Sequence, residues 1–403
     1  MKKKVLFLIH ALGAGGAEKI LVNIANGMDK EKFDVTIMTV VNTGIFREYI
    51  GEGVKYKYLF TFPFNRKCKN AKKDNNIDIK NENPGNVLNK SDLKIQMIAK
   101  LYTWFWKVVP IKLFYRIMIR EKYDVEIAFL EGICAKIISG STNEDSRKIS
   151  WIHVDMLNHE KSKAVFKNYD DEKKCYENFD QVVCVSNTVR EQFLKKFDYR
   201  EDKVIVKYNP IDKDDIVLKS KEDVKDIIKP DKFVFCTIGR LVTQKGYDRL
   251  LKVHKNLIDE GLDYELWIIG EGNKRPNLER YIVENNLEQS VKLLGFKSNP
   301  YKYLNMADAF VCSSRAEGFS TVASEAVVLK KPIVTVDCSG MNELLGTNSE
   351  YGLITENKEE DLFIGMKTML TDRDLYNKYK KNIAKRKQMF DYGQAVKSIE
   401  ELC

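Results

Sequence analysis

The sequence predicts an α/β protein built from two Rossmann-like, doubly wound parallel-sheet domains that face each other across a cleft. Three observations lead there. Short apolar runs recur along the chain, separated by stretches with helical spacing, which is the alternation of βαβ units. That alternation halts at a charged run over 213–232 and then starts again. The 403 residues, 44% of them hydrophobic, suffice for two full-sized cores. The expected partition is 1–209, then 210–388, then an amphipathic helix at 389–403 that returns to the first domain.

Residues 4–10 form an apolar strand. Next comes a loop with Gly13, Gly15 and Gly16, then a helix with Ile20, Leu21, Ile24, Ala25 and Met28 on one face. Strand, glycine loop and helix open a Rossmann-like unit. Glu18 stands where a dinucleotide fingerprint has its third glycine. The next strand, 33–41, runs into Asn42 instead of a ribose-binding acid. Both features argue against NAD. The glycines either let a substrate approach the backbone or simply make a tight turn. Further strands are expected at 54–59, 125–130, 147–153, 181–186 and 203–209. His153 and Asp155 close the strand at 147–153. A histidine there can donate to a sugar hydroxyl or phosphate, with Asp155 orienting it, or be a structural residue.

Residues 62–95, rich in Asn, Lys and Asp, interrupt the pattern and read as a mobile insertion. After it, 95–120 interleaves Trp104, Phe105 and Trp106 with Lys100, Lys107, Lys112, Arg116 and Arg120, and Pro110 divides it into two helices. Between Phe62 and Lys122 there are 14 Lys/Arg against 5 Asp/Glu, an excess that equals the whole chain's net charge of +9. Over 95–122 this composition suits an interfacial helix on an anionic membrane. The alternative is a helix packed on the sheet with its cations in water. No nucleic-acid motif accompanies the charge. No signal peptide is apparent, and no apolar run reaches spanning length. The 8 cysteines lack metal-ligand spacing and read as reduced core thiols. A cytoplasmic protein, peripheral on the inner face of the plasma membrane, is expected.

The second domain opens with a strand ending at Ile238. Gly239, Arg240 and Lys245 follow on one strand-to-helix loop, with two cations suited to phosphate. Strands follow at 264–270, 291–296, 309–313 and 332–337, and the chain is helical from about 359. The most informative stretch is 308–330. A buried strand leads into Glu317-Gly318-Phe319-Ser320, and a helix spans 319–330. Gly318 allows a sharp turn. The amides of Phe319, Ser320 and Thr321 then face an anion such as a diphosphate. Glu325 is expected about two turns into this helix, on the side of Glu317. Carboxylates match vicinal diols, so the pattern offers sites for sugar, diphosphate and ribose. It also has a bland reading: a dipole partner and a solvated helix face.

Taken together, the motifs Gly13-Ala-Gly-Gly-Ala-Glu18, Trp151-Ile-His-Val-Asp155, Gly239-Arg-Leu-Val-Thr-Gln-Lys-Gly246, Gly270-Glu-Gly272 and Glu317-x7-Glu325 resemble those of family 4 of the retaining glycosyltransferases. The resemblance spans nearly the whole chain and implies the GT-B fold. It implies that Glu317 holds the donor sugar and that Glu325 binds the ribose diol. Arg240 and Lys245 would neutralise the leaving diphosphate, and His153 would contact the sugar near its anomeric carbon. Gly318, Phe319, Ser320 and Thr321 would bind through backbone amides, with Gly16, Gly239 and Gly270 also on the donor side. Gly13, Gly15 and Gly16 would line the acceptor side. The implied reaction is retaining transfer of a hexosyl group from a nucleotide-sugar, UDP-linked, to a lipid-linked saccharide or glycolipid, with no cofactor and no metal. Two alternatives remain open: a nucleotide-sugar epimerase on the same fold, and a non-catalytic nucleotide-sugar-binding membrane scaffold.

Overall fold

A computed structural model describes residues 1–61, 90–157 and 160–403. Most of the insertion expected over 62–95 lies outside the described residues. The first sheet has seven parallel strands: β1 (Lys3–Ile9), β2 (Phe33–Val41), β3 (Val54–Phe60), β4 (Val125–Ala128), β5 (Arg147–Ile152), β6 (Gln181–Cys184) and β7 (Val204–Val206), ordered β3-β2-β1-β4-β5-β6-β7. The second has six: β8 (Phe233–Ile238), β9 (Tyr264–Ile269), β10 (Val291–Gly295), β11 (Ala309–Cys312), β12 (Ile333–Val336) and β13 (Leu353–Thr355), ordered β10-β9-β8-β11-β12-β13. Both are flanked by helices. In each sheet the strand order reverses beside its first strand, between β1 and β4 and between β8 and β11. Crevices at such points, outside the carboxyl ends of the strands, are where ligands bind in open α/β sheets.

The apolar runs read as strands because both their faces are covered. Val5 to Ile9 of β1 have no solvent exposure, and β11 and β12 are buried throughout. The helix Gly16–Gly27 buries Ile20, Leu21, Val22, Ile24 and Ala25. Three expectations need correction. The strand expected at 203–209 is only Val204–Val206, because the chain leaves the sheet before the Asn209-Pro210 turn. The edge strand β13 was not anticipated, since three half-buried residues carry no periodic signal. The helix expected over 319–330 is Thr321–Val328, so Glu325 lies one turn in, not two.

Pro110 separates the helices Lys90–Val108 and Ile111–Met118. Trp106 has no exposure and packs edge-on against Tyr102, Phe105 and Phe114. Trp104 is 61% exposed, on a face it shares with Met97, Ile98, Leu101 and Val108. The segment therefore both packs on the sheet and presents an apolar face. No helix among the described residues is long and apolar enough to cross a membrane. The closing helix, Tyr392–Glu400, lies against Gly16–Gly27. The Tyr392 hydroxyl donates to Asn23 O at 2.7 Å, and Glu400 accepts from the Asp29 amide at 2.6 Å.

Candidate functional site

The loop between β11 and helix Thr321–Val328 is held from below. Arg249, 7% exposed, donates to the carbonyls of Ser313 and Ser314, each at 2.9 Å. Gln244 donates to Ala316 O at 2.9 Å. Gly246 sits at φ +67, where a Cβ would come within 2.0 Å of Ser313 O, so both strain and space require glycine. Ser320 caps the helix, accepting from the Ala323 amide at 3.3 Å. The amides of Thr321 and Val322 precede the first intrahelical bond, from Ser324 N to Ser320 O at 3.0 Å, and remain available to an anion.

Glu317 and Lys245 meet at 2.6 Å with both side chains largely buried. Burial opposes the charge on Lys245, but Glu317 together with Cys312 raises the ammonium above its ordinary value. Arg240, on the same loop as Lys245, is exposed. Its charge acts on Glu18, whose carboxyl burial nonetheless raises. Gly239 and Gly270 mark the crossing of two strand-to-helix loops: at φ +144, a Cβ on Gly270 would come 2.0 Å from Gly239 O.

The first domain closes over this loop. The Ser186 hydroxyl donates to Gly318 O at 3.1 Å. A Cβ on Gly318 would lie 2.0 Å from His153 O. Gly318 is therefore needed for the close approach of the other domain, not for a left-handed backbone. Phe319 is buried and packs against the Tyr208 ring, centroids 5.2 Å apart. A Cβ on Gly16 would fall 3.0 Å from Thr321 Oγ1, so the first turns of two helices meet here. Gly15 is bare because Glu18 folds back over it, whereas Gly13 has ordinary contact distance.

His153 lies over Phe129, ring centroids 4.8 Å apart, and burial depresses its pKa to about 3. Its Nε2 is buried without a hydrogen-bond partner, so the neutral ring keeps one polar atom for a ligand. Asp155 accepts from the Leu157 amide at 2.9 Å and from Ser339 Oγ at 3.5 Å. Glu131, just past β4, accepts from the His153 amide at 3.3 Å, and burial, then Glu18, raises its carboxyl.

Sequence reasoning assigned no role to Glu131, Lys19, Tyr301 or Glu343. Glu131 carried one legible signal, an acid at the carboxyl end of a parallel strand. The others matter only through contacts between domains. Lys19 donates to Glu325 Oε1 at 2.5 Å. Glu343 accepts from the amides of Asn187 and Thr188, each at 2.9 Å, and from the Tyr208 hydroxyl at 2.8 Å. Burial would raise the Glu343 carboxyl, but these donors, led by the Thr188 amide, hold it below its usual range.

The pairs Lys245–Glu317 and Lys19–Glu325 put two carboxylates at the mouth of one helix, with cations against both. Such a site can hold an anion between two polyhydroxyl groups.

Residues 219–386 match the family model described as Glycosyl transferases group 1. Over 218 residues the chain is 36% identical to the N-acetylgalactosamine-N,N'-diacetylbacillosaminyl-diphospho-undecaprenol 4-alpha-N-acetylgalactosaminyltransferase of Campylobacter jejuni, covering 54% of this chain and 58% of that one. An uncharacterized glycosyltransferase of Haemophilus influenzae is 23% identical over 93% of this chain and 92% of its own. The matched stretches span 58%, 50% and 59% of the first three curated relatives, about half their length. Among solved structures, Anabaena HepE in complex with UDP and glucose superposes with TM-score 0.71 at 18% identity, covering 99% of this chain and 98% of that one. TarM of S. aureus does so with TM-score 0.70 at 14% identity, covering 99% of each. Residues 219–386 therefore resemble the glycosyl transferases group 1, and the whole chain has the GT-B fold.

Proposed function

We propose that the protein is a retaining, metal-independent family 4 glycosyltransferase. It moves a hexosyl group from a UDP-linked sugar to a hydroxyl of a lipid-linked saccharide at the inner membrane face. The observation that carries this reading is the pairing of Glu317 with Lys245 at 2.6 Å beside the free amides of helix Thr321–Val328, on a loop whose Gly318 packs against the backbone of His153, a residue with an unpartnered Nε2. The diphosphate sits on those amides. Lys245 and Arg240 take up the charge that develops on the leaving group, the electrostatic work that governs such transfers. Glu317 accepts from hydroxyls of the donor sugar, Glu325 accepts from the ribose diol, and neutral His153 donates or accepts near the anomeric carbon. Leaving diphosphate and acceptor hydroxyl lie on one face of the sugar, so the departing oxygen takes the acceptor proton.

The Campylobacter relative acts, by its name, on a diphospho-undecaprenol saccharide, and UDP is bound in HepE. An acceptor of that kind accords with the exposed face of Leu101, Trp104, Val108, Leu113 and Ile117, set among Lys100, Lys107, Lys112 and Arg116. Trp and basic residues favour an anionic headgroup region. An epimerase would have no use for that face.

The test measures nucleotide release from UDP-, GDP- and ADP-sugars, with and without a membrane lipid extract, for the wild type and Glu317→Gln. Release that needs both a donor and the extract, and falls by about 100-fold or more in Glu317→Gln, is expected. Altered donor without nucleotide release would replace this reading with the epimerase. Binding without conversion would favour a scaffold.

A further inference from the structure

Glu325 is 3% exposed, and its Oε1 accepts two donors at once: Lys19 Nζ at 2.5 Å and the Tyr301 hydroxyl at 3.2 Å. Lys19 comes from the first turn of helix Gly16–Gly27, in the opposite domain, and its ammonium lies 4.5 Å above the Tyr301 ring while also donating to the phenol oxygen. Tyr301 is 3% exposed, and burial, then Glu325, raises its phenol, so the hydroxyl stays a donor. The Lys19 side chain retains 26% exposure. Glu325 and Tyr301 are therefore sealed by protein, whereas Lys19 keeps partial access to solvent.

A cis-diol satisfies a carboxylate by donating to both its oxygens. Lys19 stands over Glu325 where such a diol would sit, and it holds Oε1 with a charge-assisted bond. We propose that Lys19 is the residue that controls admission of the nucleoside: it substitutes for the ribose at Glu325, and only a ligand that brings both hydroxyls displaces it. This rests on the reading that Glu325 binds ribose. Several consequences follow from the geometry. Lys19 ties helix Gly16–Gly27 to helix Thr321–Val328, so ribose binding breaks a contact between the two domains. A ligand lacking one hydroxyl cannot replace the ammonium and leaves Lys19 in place. Removing Lys19 leaves a buried carboxylate short of a donor, which favours the diol further.

The experiment titrates UDP, GDP and ADP into wild-type protein by calorimetry and carries the tightest forward. That nucleotide and its 2′-deoxy analogue are then compared on wild type, Lys19→Met and Glu325→Gln. Methionine keeps most of the length and the apolar stem of the side chain without the charge. Lys19→Met is expected to bind the ribonucleotide about tenfold more tightly, with little gain for the 2′-deoxy analogue. Glu325→Gln is expected to lose most of the ribonucleotide affinity. If Glu325→Gln weakens binding while Lys19→Met binds no more tightly than wild type, the Lys19 proposal falls and the ribose assignment stands. If Glu325→Gln binds like wild type, the ribose assignment falls as well. Equal tightening for both nucleotides would mean a general electrostatic effect and would also overturn selection by displacement.

Discussion

A single imidazole illustrates how the cleft sets chemistry. Burial holds His153 at about 3, against an ordinary 6.5. As pH falls below 6.5 the unfolded chain takes up a proton here and the folded protein does not, until about 3. The contribution is thus intact above 6.5 and is lost progressively on the way down to 3. Denaturant melts at about pH 7.5 and pH 5 should show the wild type losing up to about 2 kcal/mol more stability than His153→Asn over that interval. Equal losses would mean that His153 is solvated and charged at pH 5. At neutral pH the ring is uncharged, which suits a hydrogen bond to a sugar better than neutralisation of a phosphate. The histidine itself was legible at the end of its strand. Its orphaned Nε2 was not, because that depends on Phe129 and the chain packed around it.

At the level of the element, helix Lys90–Val108 carries two tryptophans two residues apart with opposite fates. A two-residue step turns about 200° around a helix, so neighbours of this kind face nearly opposite ways. Trp106 lies in the core and Trp104 in solvent. Trp104→Ser should keep the melting temperature within a few degrees and reduce co-sedimentation with anionic vesicles several-fold. Trp106→Ser should instead cost about 3–5 kcal/mol of stability, through the cavity it leaves. Undiminished vesicle binding of the Trp104 variant would leave the exposed face without a membrane role. The sequence made the basic, aromatic, amphipathic character plain. It could not say whether the segment packs or docks, because the two readings need different faces and this helix has both. Similarly, Glu317 and Glu325 were visible as a pair, but the start of their helix was set by the Ser320 cap, two residues nearer to Glu325 than the periodicity suggested.

At the level of the whole molecule, the described residues of the two domains meet through apolar packing, such as Tyr208 on Phe319, and through specific polar contacts. Glu343 is the densest of these, bonding two amides, the Thr188 hydroxyl at 3.0 Å and the Tyr208 hydroxyl across the cleft. It sits on the N-terminus of helix Asn187–Phe197, where a carboxylate is favoured by the free amides and the dipole. Glu343→Ala should speed amide hydrogen exchange at Asn187 and Thr188 and lower sugar transfer by about tenfold while each domain stays folded, since it removes donors' partners without opening a cavity. Unchanged exchange would mean that the domains are held by other contacts, among them the closing helix Tyr392–Glu400.

The sequence by itself determined the two parallel sheets except for the edge strand β13, the strand ends at which the candidate residues lie, and the loop from Glu317 to Ser320. Each of these is written locally, in apolar runs, glycines and short motifs, and local patterns survive without knowledge of partners. Only the tertiary structure decided that Gly318 is bare to admit His153 O, that Glu343 caps a helix of the other domain, and that Lys19 occupies Glu325. Those residues are 165, 155 and 306 positions apart in the chain. No periodicity connects them, and their meaning arises only when the two sheets face each other across the cleft.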